Sequence, residues 1–401
     1  MKHNLWTVAL VAAGAVSLGS LAQAEEAKNQ VLTALSSTTL SGYVDTSANW
    51  QLGPATTSVG HSYDRAAKQD GFNLNVVKLT LEKPLDSSEW TAGYKVDMLF
   101  GPDAAMYNPV SPGIAKGTAQ DFGLKQAYVV VRAPVGNGLD FKIGTFDTCI
   151  GYEVFESINN PNVSRSYGYF IEPLSHTGVM ASYQATEWLS LSGGVADTWN
   201  TGINARAVRY NGAAFVAADQ SEKTYMGLVT LTAPESFGTL KGATLTAGIV
   251  DGLPSANGLQ SATRITHYYV GATVPTPLTG LAAGAAYEYR GTTGIAATYA
   301  NAVAGYLTYQ ATEKMKLASR TEYATGTKGT WADGTAPAPT SAQPEAFLGE
   351  AFTLDYSLWQ NVVTRAEVRW DRDLTGQRLM GDPPNARQNA FSLALNVVYK
   401  F

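Results

Sequence analysis

The side chains of this sequence best placed to do chemistry are charges rather than nucleophiles. The stretch TFDTCIGYEVFESINNPNVSRSYGYFIEPLSHTG, Thr145 to Gly178, carries four acids, Asp147, Glu153, Glu156 and Glu172, and one cation, Arg165. Lys142, Arg290, Lys316, Arg320, Arg365 and Arg369 can face them from elsewhere in the chain, with Glu367 among them. Opposed charges across a narrow, low-dielectric passage create a transverse field that sorts solutes by charge and dipole. The same groups could instead pair, Glu153 with Arg165 or either with a neighbouring wall, simply to hold the stretch in place; the sequence leaves both readings open. Covalent chemistry has no such support. A hydrolase needs a nucleophile beside a base, yet beyond His3 the histidines are only His61, His176 and His267, widely spaced, with no G-x-S-x-G elbow and no H-x-x-x-H pair. The expectation is therefore no enzyme, no catalytic residue, no cofactor and no metal site. His176 reads as a hydrogen-bonded anchor, and the single cysteine, Cys149, excludes an internal disulfide.

The elements that must position these charges are strands. Sixteen candidates follow one another: 38–53, 72–84, 90–100, 122–133, 139–146, 175–186, 189–200, 223–234, 242–252, 264–275, 280–291, 297–312, 315–327, 345–359, 361–373 and 389–401. Even-numbered strands are followed by brief connections such as PLDSS, PVGNG, TPLTG and TE, rich in turn chemistry. Odd-numbered strands are mostly followed by long polar ones, the brief GTTGIA after the eleventh being the exception. Short and long connections alternating along an even number of strands mark an up-and-down barrel. The expected fold is all-β, a transmembrane antiparallel barrel whose third long loop, following the fifth strand, folds inward.

The faces of the strands agree. Arg365, Glu367, Arg369 and Asp371 alternate with Thr364, Ala366, Val368 and Trp370, and Lys316, Arg320 and Glu322 lie opposite Met315, Leu317 and Tyr323. Several charges on one face would leave unpaired buried charge in a dry sandwich, whereas a wet lumen accepts them. Sixteen strands are wide enough to enclose an aqueous channel. In the final strand, NAFSLALNVVYKF, the apolar parity of Phe391, Leu393, Leu395, Val397, Tyr399 and Phe401 then faces lipid. Charged residues make up only 15% of the chain, and its formal net charge of −5 comes without the basic patches nucleic acid requires. Lys2 and His3, the apolar run from Leu5 to Val16 and the A-x-A site at Ala22 to Ala24 form a secretory signal. The expected organisation is a signal peptide over 1–24, a short periplasmic lead over 25–37 and the barrel over 38–401.

The segment around Gly151, with its GYEV, SRSY and HTG pieces, resembles the OmpL-like family of bacterial outer-membrane beta-barrel porins. LSGYVDTSANW, KLTLEKPL and the final strand are similar as well. The resemblance implies a Gram-negative outer-membrane porin passing small hydrophilic solutes or ions by passive diffusion. It also implies outer-membrane lipid as surroundings, a homotrimer by analogy with general porins, and recognition of the terminal Phe401 by the barrel-assembly machinery. A solute-selective channel with saturable conductance is the alternative, and a secreted β-structural or adhesive protein a more distant one.

Overall fold

The computed structural model describes residues 31–32, 37–52, 71–107, 122–200, 202–211, 214–255, 262–294, 297–328, 330–331, 344–378, 380 and 387–401. Period-two alternation of apolar with polar or small residues builds sixteen long strands. They are β1 (Thr39–Gln51), β2 (Gly71–Lys83), β3 (Thr91–Phe100), β4 (Phe122–Ala133), β5 (Leu139–Asp147), β6 (Ser175–Gln184), β7 (Leu189–Ala196) and β8 (Thr224–Thr232), followed by β9 (Thr244–Gly252), β10 (Ala262–Pro275), β11 (Leu281–Gly294), β12 (Thr298–Gln310), β13 (Met315–Gly326), β14 (Glu345–Trp359), β15 (Val362–Asp373) and β16 (Asn389–Lys400). Each pairs antiparallel with its sequence neighbours, and β16 returns to β1 with Ser392 opposite Gln51 and Lys400 opposite Tyr43. Phe401 and Gly42 exchange backbone hydrogen bonds of 2.9 and 3.0 Å across that seam. The sheet is a closed sixteen-stranded barrel.

One parity of each strand is apolar and exposed, the other largely buried. On β16 the exposed set is Phe391, Leu395, Val397 and Tyr399, while Ala394, Asn396 and Val398 are buried. Exposed Trp90, Trp188, Trp359 and Tyr399 all sit at the end where the short turns lie, and Trp370 stacks on Phe391 towards the other end. Such aromatic rings at two levels are what a slab with two polar interfaces selects.

Sequence and structure differ mainly at strand ends. The seventh strand stops at Ala196 rather than running to 200, because Trp199 turns away and its amide bonds the carbonyl of Leu253. The eleventh runs on to Gly294, beyond the expected 291. A small hairpin, Val208–Tyr210 with Phe215–Ala217, and a one-turn helix α1, Tyr167–Ile171, have no counterpart in the alternation pattern. The expected signal peptide lies outside the described residues. Of the expected periplasmic lead, Val31 and Leu32 pair with Leu40 and Thr39.

Candidate functional site

The buried parity of three adjacent strands carries an unusual density of charge. Arg320 and Glu322 come from β13, Asp355 from β14, and Arg365, Glu367, Arg369 and Asp371 from β15. Alternation puts all seven on the same side of the sheet. Arg320 bonds Glu322 (3.1 Å) and Glu153 (3.0 Å), Arg369 bonds Asp371 (2.7 Å) and Glu322 (3.1 Å), and Arg365 bonds Asp355 (2.7 Å). Charges this deep persist only when paired and hydrogen-bonded throughout.

What satisfies them is the backbone of the connection after β5, residues 148–174. Glu367 accepts from the amides of Val163 (2.5 Å) and Ser164 (3.0 Å), and Glu322 from that of Tyr167 (2.6 Å). Arg365 donates to the carbonyls of Ser157 (2.8 Å), Asn160 (3.1 Å) and Pro161 (3.1 Å); Arg320 donates to that of Ser164 (2.7 Å), and Arg369 to that of Arg165 (2.7 Å). Carboxylates therefore meet amides and guanidinia meet carbonyls, each bond strengthened by the ionised partner. Glu153 does not pair with Arg165. It pairs with Arg320 and takes bonds from the Ser166 amide (2.9 Å) and the Tyr306 hydroxyl (3.1 Å). Arg165 caps the carbonyls of Val163 and Phe155 and lies 5.3 Å from the centre of the Tyr169 ring.

The same connection touches a second wall. Glu156 pairs with Lys78 of β2 (2.5 Å) and Lys125 of β4 (3.3 Å), which in turn contact Asp97 and Asp147. Burial alone would push the Glu156 carboxyl up, but Lys125 and Lys78 outweigh it and hold it well below the usual carboxylate range. A polar cavity of about 200 Å³ opens here, lined by Lys78, Lys95, Lys125, Asp147, Glu156 and Glu172 among others.

A third wall is apolar. Ile150 and Tyr152 pack against Met226, Leu228, Val250 and Ile265 of β8, β9 and β10. Tyr152 stacks on Tyr306 at 4.3 Å, and its hydroxyl sits 3.0 Å from that of Thr273. Gly284 makes the room, since a Cβ there would lie 1.9 Å from the Tyr152 hydroxyl oxygen. This seat is invisible to an argument from charge. Its signal is on β8, whose buried parity carries Met226 and Leu228 where a wet lumen would take polar or small residues.

Glu172 closes the connection in a different way. Its carboxyl is buried against Gly151 and lies near Glu288, which also faces His267 at 3.1 Å. Burial, and then Glu288, push the Glu172 carboxyl well above the ordinary range. A carboxyl raised on folding contributes fully below its unfolded value of about 4.3, and that contribution is lost as pH rises towards the raised value. Stability against heat should therefore fall as pH rises above the ordinary carboxylate range, and Glu172→Gln, which never ionises, should flatten the slope. Melting midpoints of both proteins across that range check this; equal slopes would free Glu172 of the role.

Eight of the charges expected to act together do meet: Glu153, Glu156, Arg165, Glu172, Arg320, Arg365, Glu367 and Arg369 are all buried in one connected set of contacts around residues 148–174. Lys142 and Arg290 stand apart from it, and Lys316 joins it only through Asp355. Lys142 lies over the Tyr128 ring at 5.2 Å, Lys316 pairs with Asp355 at 2.7 Å, and Arg290 has no ion-pair partner among the described residues. Charge counting missed Lys78, Lys125 and Asp355, though each shares its strand's polar parity. His176 is an anchor, with its ring nitrogens 3.1 Å from the Thr148 hydroxyl and 3.4 Å from the Thr198 carbonyl oxygen. Among the described residues no group of three His, Cys, Asp or Glu could hold a metal ion.

A family model described as "Putative beta-barrel porin-2, OmpL-like" matches residues 37–401. No curated protein matches the chain. Among solved structures, the chain is similar to the outer membrane channel DcaP of Acinetobacter baumannii, with 13% identity over 91% of this chain and 97% of that one at a TM-score of 0.57. It is similar to Salmonella typhi OmpF in complex with daunomycin, with 10% identity over 91% and 97% at 0.56. It also resembles the trimer form of in-vitro folded OmpT of Vibrio cholerae, with 12% identity over 91% and 99% at 0.54. At these identities the likeness is one of fold.

Proposed function

This chain belongs to the OmpL-like beta-barrel porins of the outer membrane, and on that premise we propose that it is a passive diffusion channel for small hydrophilic solutes or ions, narrowed by residues 148–174 folded into its lumen. One observation carries the reading. The same connection pairs Glu156 with Lys78 on β2 and packs Ile150 against Ile265 on β10, eight strands away around the ring. A segment seated on both sides of a sixteen-stranded cylinder has to cross its hollow. Solutes then pass what the segment leaves open, and the polar cavity beside Lys78, Lys95 and Lys125 is the passage favoured by its lining.

Family and fold alike support a channel rather than an enzyme or a secreted structural protein. The rest of the proposal follows from the same premise: export by the 1–24 signal, lipid over the apolar parity, assembly guided by Phe401, and a trimer like that of the similar Vibrio cholerae structure.

Purified protein in a planar bilayer tests the reading. The expected result is stepwise insertion of open channels whose current is linear in voltage and in KCl concentration. Saturating current that one solute blocks would favour the selective channel instead. Bilayers that stay silent would refute both.

A further inference from the structure

We infer that the charge which water and ions can reach inside this barrel is positive, so that the pore prefers small anions although the chain as a whole is acidic. The inference rests on the channel reading above and names the solute class for it. The formal net charge of −5 would suggest the opposite. Burial decides otherwise. The inward carboxylates Asp97, Glu153, Glu322, Glu367 and Asp371 are each no more than 3% exposed, and they are consumed by guanidinium, ammonium, amide and hydroxyl donors. A buried, fully paired carboxylate presents almost no field to an ion in the passage, because the opposite charge lies within a few ångströms of it.

The inward cations are disposed differently. Lys95 on β3 keeps its side chain 24% exposed and pairs with Glu82 at 3.5 Å, a carboxylate that is itself 41% exposed. Lys142 on β5 lies over the Tyr128 ring, and no described carboxylate lies within ion-pair reach of it. Arg290 on β11 shares the parity of buried Glu288 and Ala286, and likewise has no described ion-pair partner. Lys316 is 28% exposed and shares the single carboxylate of Asp355 with Arg365, so two cations stand against one anion there. Lys400 is exposed at the short-turn end of β16, on the parity of buried Asn396 and Val398. Among the described residues the inward acids with comparable exposure are Glu82, at 41% and paired with Lys95, and Asp147, at 35% and already held by Lys125. Residues 148–174 thus remove acids from the lumen and leave cations in it. Chloride and small carboxylates are the solutes such a lining favours.

Reversal potentials of the full-length channel in a KCl gradient test this, with the dilute side near about 0.1 M, where screening extends only about 10 Å. The wild type should give the sign of chloride selectivity. The double variant Lys95→Gln/Lys142→Gln should lower the chloride-to-potassium permeability ratio by about two-fold or more, and adding Arg290→Gln should lower it further. Lys241→Gln, at an exposed turn, should leave the ratio alone. All three lumen positions are partly exposed, so the variants keep the buried seats and should insert normally. A wild type selective for potassium, or a double variant that conducts normally with an unchanged ratio, overturns the inference while leaving the channel standing. A wild type that never conducts overturns both.

Discussion

Arg320→Ala is expected to enlarge and destabilise the channel more than any change to an exposed lumen charge. Arg320 is completely buried and makes five bonds, to Glu153, to Glu322, to the carbonyls of Ser164 and Arg165 and to the Ser164 hydroxyl. Removing it leaves two buried carboxylates short of their main counter-ion, and breaking a buried pair from one side costs about 3–5 kcal/mol. The barrel's own hydrogen bonds do not depend on Arg320, so the loss falls on the seat of residues 148–174. Single-channel current should rise and become noisy, and trypsin should cut within that segment, at Arg165, while the wild type resists. Arg320→Lys, which keeps the charge but not the fork, should lie between the two. Wild-type current and protease resistance in the alanine variant would show that the guanidinium holds nothing in place.

Gly151→Ala should unseat the same segment from its other end. Gly151 has φ +111, a conformation that costs any residue with a Cβ about 1–3 kcal/mol. A Cβ there would also lie 2.1 Å from a Glu172 carboxylate oxygen. Glu172 cannot simply swing away, because Glu288 and the surrounding packing hold it buried. The expected result is a lower melting temperature for the segment and larger, unsteady conductance, with the barrel's strand content by circular dichroism unchanged. Combined with Arg320→Ala, the effect should be less than additive, since both changes release one segment. Full additivity would mean that the two contacts hold separate things.

The barrel was legible in the sequence because alternation and connection length are local properties. β15 could be seen from Arg365, Glu367, Arg369 and Asp371 on one parity before any partner was known. The site was legible only as a set of charges. That Glu153 would choose Arg320 over nearby Arg165 depends on which wall the segment meets, and that is fixed by closure of the whole cylinder. The apolar seat for Ile150 and Tyr152 was harder still, because Met226 and Leu228 look like ordinary strand residues until the inward parity is known. Sequence distance explains the end of β7 too: Trp199 fits the alternation, but its ring stacks near His267, far along the chain.

The seam between β16 and β1 has a consequence for how the protein is made. Thr46 bonds the carbonyl of Val397 across a separation of 351 residues, and Asn396 bonds Asp45 across the same separation. Fourteen intervening strands contribute no contact that substitutes for this one, so an emerging polypeptide keeps two unsatisfied sheet edges until its last dozen residues are delivered. Contacts so remote are slow to form, and open edges invite pairing with the wrong chain. The cylinder therefore cannot close, nor the β1 edge find its partner, until β16 is in place.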